Sequence, residues 1–304
     1  MSTSKSAAKD VRTKDIRMPD GSTSSVRLFD ANSETSASPH KPLIVIWPGF
    51  GMGARYYDPI ALELAARGYP TATGELRGQG SSTAVASRKK TWGYHDLASQ
   101  DYPTTVRAAK KELGLAEDHP TLLLCHSMGG QIASLFLARP EAEMLNVQGM
   151  IGVGAGTPYY KSFSGDSKRR LLFGAPVMGI GSLLIGYWPG GKLDIAGYGR
   201  QARAHTWEWF RFGRTNTLRK LRGQDRNYMD ALAQVDSNVM LTRFTNDDDC
   251  PRQSAQNLVD LMPCANTSVV ELEGGLGHNR WARQPHIVVD KLEEFVDEAK
   301  ISVR

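Results

Sequence analysis

Residues 121–130 read Thr-Leu-Leu-Leu-Cys-His-Ser-Met-Gly-Gly. The run 121–125 is a threonine followed by four apolar residues, as expected of a strand buried on both faces. It stops short of Ser127, after which small residues lead into helical spacing over 129–138. A strand that turns directly into a helix holds the intervening hydroxyl out of the turn, and Gly129 and Gly130 let the backbone approach closely there. The N-terminus of the following helix also favours negative charge developing beside it. Ser127 is therefore the candidate nucleophile.

Outward from this stretch, short apolar runs alternate with helical patterns. Strands are expected at 43–47, 70–73, 121–125, 149–153, 239–244 and 268–272, and helices at 57–67, 96–113, 129–138, 254–261 and 286–299. That alternation predicts an α/β fold with a mostly parallel sheet covered on both faces. Residues 11–17 and 24–29, joined by the Pro-Asp-Gly turn at 19–21, read as an antiparallel hairpin at the sheet edge. The stretch 158–234 breaks the rhythm: it is rich in Gly, Trp, Tyr and Arg and shows no clear strand. It is expected to be a cap or lid inserted over the sheet's carboxyl edge, with 1–157 and 235–304 forming the core and 1–10 flexible.

The 304 residues suffice for one enlarged domain, and 40% hydrophobic against 23% charged residues fits a folded chain. The 37 basic residues nearly balance 32 acidic ones. No basic pattern interleaved with aromatics appears, so nucleic acid is not an expected partner. The basic stretches 87–90 and 168–170 read as solvated surface, and the net charge of +5 allows a mild attraction to acidic lipid and peripheral membrane contact. Cys125, Cys250 and Cys264 are odd in number and lack metal-ligand spacing, which fits a reduced cytoplasmic protein. Residues 1–17 contain no apolar stretch of the signal-peptide kind. Residues 171–188 carry no charge, but Pro176 and four glycines interrupt them, so a buried or lid segment is expected rather than a membrane span.

His278 follows the last strand candidate in a glycine loop, Gly274-Gly275-Leu276-Gly277-His278, able to carry an imidazole back toward Ser127. His126 is the rival base, but neighbours at such a turn point apart, and it is expected to pack beneath the turn. An orienting carboxylate should lie between serine and histidine in the chain, and Asn246-Asp247-Asp248-Asp249-Cys250-Pro251 supplies candidates.

Together with Pro48-Gly49-Phe50-Gly51 and the loop Glu75 to Ser82 (ELRGQGSS), these motifs resemble the α/β-hydrolase superfamily. The resemblance is to its esterase, monoacylglycerol-lipase-like and serine aminopeptidase (S33-type) branch. Two departures stand out: Cys125 replaces the first glycine of G-x-S-x-G, and Pro48-Gly49 replaces a His-Gly pair. The family's acid commonly stands four residues before a proline, which selects Asp247 against Pro251 and leaves Asp248 as the alternative. The resemblance implies an oxyanion hole from the backbone N–H groups of Phe50 and Met128. Glu75 takes the place of the family's aspartate, and its loop is expected to be structural, with Arg77 in an internal salt bridge rather than on a substrate carboxylate.

The resemblance implies a serine hydrolase acting on a carboxylic ester, without metal or organic cofactor. The apolar run 171–188 and Thr206 to Phe210 suggest a small-molecule or lipid substrate with a medium or long acyl chain, lined by Leu183, Leu184 and Trp188. A peptidase or amidase, an acyltransferase, and a non-catalytic fold that binds an acyl ligand or a partner protein are the alternatives.

Overall fold

The apolar runs form strands whose ends shift by one or two residues from the expected limits. The structure, a computed structural model, describes residues 11–32 and 41–301, so the flexible segment expected at 1–10 lies outside the described residues. The hairpin is β1 (Arg12–Arg17) and β2 (Thr23–Phe29). There follow β3 (Leu43–Trp47), β4 (Thr71–Thr73), β5 (Thr121–His126) and β6 (Val147–Val153). An antiparallel pair, β7 (Tyr187–Trp188) and β8 (Gln201–Ala202), lies where no strand was expected; two-residue strands carry no period that a sequence can display. With β9 (Asn238–Phe244) and β10 (Asn266–Leu272), the main sheet has the order β1-β2-β4-β3-β5-β6-β9-β10. β2 runs antiparallel to both neighbours, and the strands from β4 to β10 are parallel.

The central strands β3 and β5 are buried at every position because helices cover both faces. Leu43, Val45 and Trp47 face one core with Leu123 and Cys125, under the helices Tyr102–Glu112, Met128–Leu137 and Arg252–Val259. Ile44, Ile46, Leu122 and Leu124 face the other, under Asp58–Ala66 and His286–Glu298. Each fully buried Leu or Ile contributes about 1.5–3 kcal/mol, so a polar residue on either face of these strands would be costly. The edge strands β1 and β10 are largely exposed and carry polar side chains, which disfavours pairing with another chain.

The helix expected over 96–113 is interrupted. A short turn at Tyr94–Asp96 passes into a π-helical stretch, Leu97–Asp101, before the regular helix Tyr102–Glu112. Pro103 explains the break: it has no N–H to donate, and its ring crowds the preceding turn. The wider turn leaves Asp101 buried against Arg77, an ion pair with both partners out of solvent.

Between β6 and β9 lie the helices Gly165–Arg169, Ala175–Ile185, Arg203–Thr215 and Tyr228–Leu232. This segment leaves β6 at the edge where its neighbour β5 delivers Ser127, since His126 pairs with Val153. The uncharged run is helical through Arg170–Gly174 and Ala175–Ile185, then stops at Gly186, whose φ of 99° favours glycine. Among the described residues, no helix is long and apolar enough to cross a membrane.

Candidate active site

β5 ends at His126 and the next helix begins at Met128, so Ser127 alone makes the turn, with φ 50° and ψ −117°. That backbone is unfavourable for a residue with a Cβ. The turn is held by Ser127 N donating to Val153 O (3.1 Å) and Gly130 N donating to Ser127 O (3.0 Å). A Cβ at Gly129 would stand 2.8 Å from Pro48 O and 2.9 Å from Trp47 O, and one at Gly130 would stand 2.6 Å from the Ala155 Cβ. The two glycines thus allow the helix to start against neighbouring backbone. Cys125, the departure from the glycine pattern, is fully buried in β5 and faces the core.

The glycine loop after β10 brings the His278 Nε2 to 3.1 Å from the Ser127 Oγ. Its Nδ1 lies 2.9 and 3.0 Å from the two carboxylate oxygens of Asp247. Nδ1–H donating to Asp247 leaves Nε2 as the acceptor for the serine hydroxyl. Asp247 is buried and accepts the backbone N–H groups of Asp249 and Cys250, both at 3.0 Å. Asp248 and Asp249 are exposed; Asp249 pairs with Arg170 and accepts from the Ser167 hydroxyl at 3.1 Å. Of the three aspartates, Asp247 is the one against His278. Burial pulls the His278 pKa down, but the hydrogen bond to Asp247 and the charges of Asp247 and Asp249 outweigh it, and the net direction is up from 6.5.

Two polar residues that sequence reasoning passed over hold these loops. The Asn246 side chain accepts from Gly277 N (2.9 Å) and donates to Gly275 O (3.1 Å), clipping the aspartate loop to the histidine loop. The buried Arg243 donates to Cys250 O (2.7 Å) and Asp247 O (3.1 Å), fixing the aspartate turn from below. Polar side chains beside a loop look alike in sequence whether they face water or backbone, so neither carried a signal.

His126 packs beneath the turn as expected. Its Nε2 donates to His278 O (2.9 Å) and its Nδ1 accepts from the Tyr57 hydroxyl (2.6 Å). Burial pushes its pKa well down, so the ring stays neutral. With both nitrogens engaged, it offers no base to Ser127.

The loop Pro48 to Gly51 is pinned on both sides of Phe50. Gly49 N donates to the Tyr57 hydroxyl (3.0 Å) and Gly51 N to the Gln79 side-chain carbonyl (2.6 Å). Gln79 belongs to the loop Glu75 to Ser82, whose Glu75 accepts from Ala54 N and Ser81 N, both at 3.0 Å. This loop braces its neighbour, and Arg77 is spent on Asp101 rather than on the cavity. Met128 opens its helix, so its N–H has no carbonyl one turn earlier to bond.

A cavity of about 720 Å³ lies over these groups, lined by Gly49, Phe50, Ser127, Met128 and His278 at its floor. Its walls include Phe163, Val177, Met178, Trp188 and Trp209. Trp188 lines the cavity; Leu183 and Leu184 do not, which corrects the expectation that they line it. The inner face of the Ala175–Ile185 helix is Ala175, Met178, Gly179 and Ser182, which turns 183 and 184 outward. The segment is anchored to the core by Glu208, which accepts from Tyr94 N (2.8 Å) and Arg222 N (2.6 Å); burial pushes its carboxyl up to about 7.

A family model described as serine aminopeptidase, S33, matches residues 38–172, a span that includes the Phe50 loop and the Ser127 turn but ends before Asp247 and His278. A membrane phospholipase A described as a bacterial virulence factor superposes with a TM-score of 0.59 at 17% identity, covering 95% of this chain and 87% of that one. The chain has the α/β-hydrolase fold. An esterase from Rhodococcus sp. ECU1013 shares that fold at a TM-score of 0.55 and 19% identity, over 94% of this chain and 98% of the other. An esterase from Exiguobacterium antarcticum does so at 0.57 and 19%, over 93% and 99%. No curated protein sequence matches the chain. Within the α/β-hydrolase fold, a serine at the turn after the fifth strand and a histidine after the last are at the sheet's carboxyl edge, where ligands of open α/β sheets bind.

Proposed function

We propose that the chain is a serine hydrolase that cleaves a carboxylic ester with a medium or long acyl chain through an acyl-serine intermediate. The observation that carries this reading is the continuous bonding from Asp247 through His278 to Ser127 at the floor of a largely apolar cavity. Ser127 Oγ attacks the ester carbonyl carbon as His278 Nε2 takes its proton, and Asp247 stabilises the imidazolium. The N–H groups of Phe50 and Met128 receive the oxyanion, each donor being worth about 2.7–4 kcal/mol in the transition state. His278 then gives its proton to the leaving alcohol. A water next loses a proton to His278, attacks the acyl carbon and releases the acid, and Ser127 regains its proton. Residues 158–234 serve as the cap that encloses the acyl chain, with Phe163, Met178, Trp188 and Trp209 as its apolar wall.

An ester fits better than a peptide with a free amine, because the exposed aspartate on the cavity wall, Asp249, is already paired with Arg170 and Ser167. The test is labelling by a fluorophosphonate probe together with a series of p-nitrophenyl esters of increasing acyl length. Labelling at Ser127 and preference for longer acyl chains support the reading. An unlabelled, folded protein that cleaves none of the esters overturns it.

A further inference from the structure

The outer surface of residues 171–195 is unusual for a protein in water. Among the described residues eleven large hydrophobic side chains are exposed, and eight of them lie in this segment: Phe173, Val177, Ile180, Leu183, Leu184, Ile185, Leu193 and Ile195. Phe173, Val177, Ile180 and Leu184 follow a spacing of four, three and four, which is one stripe of a helix. Leu184 and Ile195 are each 80% exposed and Phe173 is 70% exposed. The opposite stripe packs on the protein: a Cβ on Gly179 would stand 2.8 Å from the Phe210 Cβ. A surface helix ordinarily shows water a polar face, and this one is apolar on both.

Charge around the patch is mainly basic, with Asp166 pairing with Arg169 and Asp249 with Arg170 at one end. Residues 171–191 contain no charged side chain. Lys168 to Arg170 stand just ahead of the helix, with Arg169 and Arg170 exposed. The turn at Ser87 to Lys90, distant in sequence, is carried to the other end, where Arg88 Nε donates to Ile185 O at 2.9 Å and the Arg88 side chain packs on Gly186. Lys89, Lys90 and Lys192 are exposed, and Lys89 and Lys192 form no ion pair among the described residues. The nearest acid within the segment, Asp194, is turned inward onto Trp188 Nε1 (2.8 Å) and Gly197 N (3.0 Å). Two basic stretches that read singly as solvated surface thus converge on the two ends of an apolar helix. Phe173, Val177 and Ile195 of the patch also line the cavity above Ser127, so the cavity mouth opens within it.

We propose that this face is a docking surface for a lipid bilayer containing anionic phospholipid, with the apolar stripe entering the acyl boundary and the basic clusters at its ends meeting the headgroups. Apolar area and electrostatic attraction reinforce one another at such an interface, and each fades when its own residues are changed. Docking requires no turnover and stands apart from the catalytic reading; if both hold, substrate passes from the bilayer into the cavity without crossing water.

The full chain is sedimented with vesicles of phosphatidylcholine alone and of equimolar phosphatidylcholine and phosphatidylglycerol. Binding is expected to the mixed vesicles, weakening with added salt. Leu184→Asp and Ile180→Asp, outside the cavity lining, each reduce it about tenfold or more, and Lys89→Glu with Lys192→Glu reduces it about tenfold. All of these variants keep wild-type hydrolysis of a short soluble ester. If no ester is cleaved by any form yet the vesicle results hold, docking stands and the catalytic reading alone fails. The proposal is overturned if the wild-type chain ignores both vesicles, if the Asp and Glu variants bind as well as wild type, or if light scattering shows a dimer that Leu184→Asp dissociates, which would make the patch an interface between two copies.

Discussion

The sheet and the segment 158–234 use apolar residues to opposite ends. In β3 and β5 every residue is buried, because two helical layers close on the strands. In the helix Ala175–Ile185 the apolar content is as continuous, yet one stripe faces the protein and the other faces outward. The same composition therefore makes a rigid frame where it is covered twice and a wall with an open outer side where it is covered once. What decides between them is the number of layers around the element, a tertiary fact that no local window contains.

If the frame carries the chemistry and the segment the selection, their variants should separate. The largest effect belongs to Ser127→Ala, expected to lower ester turnover by about four orders of magnitude or more while circular dichroism and thermal midpoint stay native-like. Asp247→Asn should follow, with kcat falling about a thousandfold to ten-thousandfold. Asp248→Asn and Asp249→Asn should stay within a few-fold of wild type. A crippled Asp248→Asn beside an active Asp247→Asn would break the reading of the aspartate loop.

The comparison sharpens within the Ala175–Ile185 helix itself. Val177 lines the cavity and Leu183 does not. Val177→Asp should cut the long-to-short ratio of kcat/KM for soluble esters about tenfold. Leu183→Asp should leave that ratio unchanged. Equal effects at both positions would show that lining the cavity does not decide acyl preference along this helix.

The smallest effect is in pH. Below the raised pKa of His278 the ring is charged and cannot take the serine proton, so kcat/KM should fall about tenfold per pH unit well below it. The acid limb is expected above pH 6.5, and Asp249→Asn, which removes one of the charges that raise the pKa, should move it to lower pH. The linked stability has the corresponding sign: a raised histidine pKa contributes fully below 6.5 and its contribution is lost as pH rises through the folded value. Profiles of kcat/KM for wild type and Asp249→Asn check both the position and the shift.

These contrasts also explain what could be read before folding. The strands were legible because burial on both faces writes an unbroken apolar run, as in Leu43–Trp47. Ser127 stood out because the turn demands small neighbours, and those are visible as Gly129 and Gly130. The inner face of the helix Ala175–Ile185 was not legible, since a helix apolar on all sides has no polar stripe to set its orientation and Leu183 and Leu184 look no different in sequence from Val177 and Met178. The π-helical stretch Leu97–Asp101 was hidden because one extra residue in a turn barely alters the hydrophobic period. Asn246 and Arg243 were hidden because their partners are backbone atoms, which every sequence supplies equally.

Cys125 lies sealed in β5 two residues before Ser127, and Cys250 lies sealed three residues after Asp247, while Cys264 is exposed. Burial also holds both sealed thiols well above their usual pKa, so they present almost no thiolate to a reagent. A mild alkylating agent should therefore mark Cys264 at once and the other two only as fast as the native protein breathes. The mass added at Cys125 and at Cys250 becomes a pair of internal clocks, one timing excursions of the strand that bears the serine and the other those of the loop that bears the acid. Clocks that run together mean one cooperative opening; clocks that diverge mean Ser127 and Asp247 can part company while the rest of the molecule stays folded.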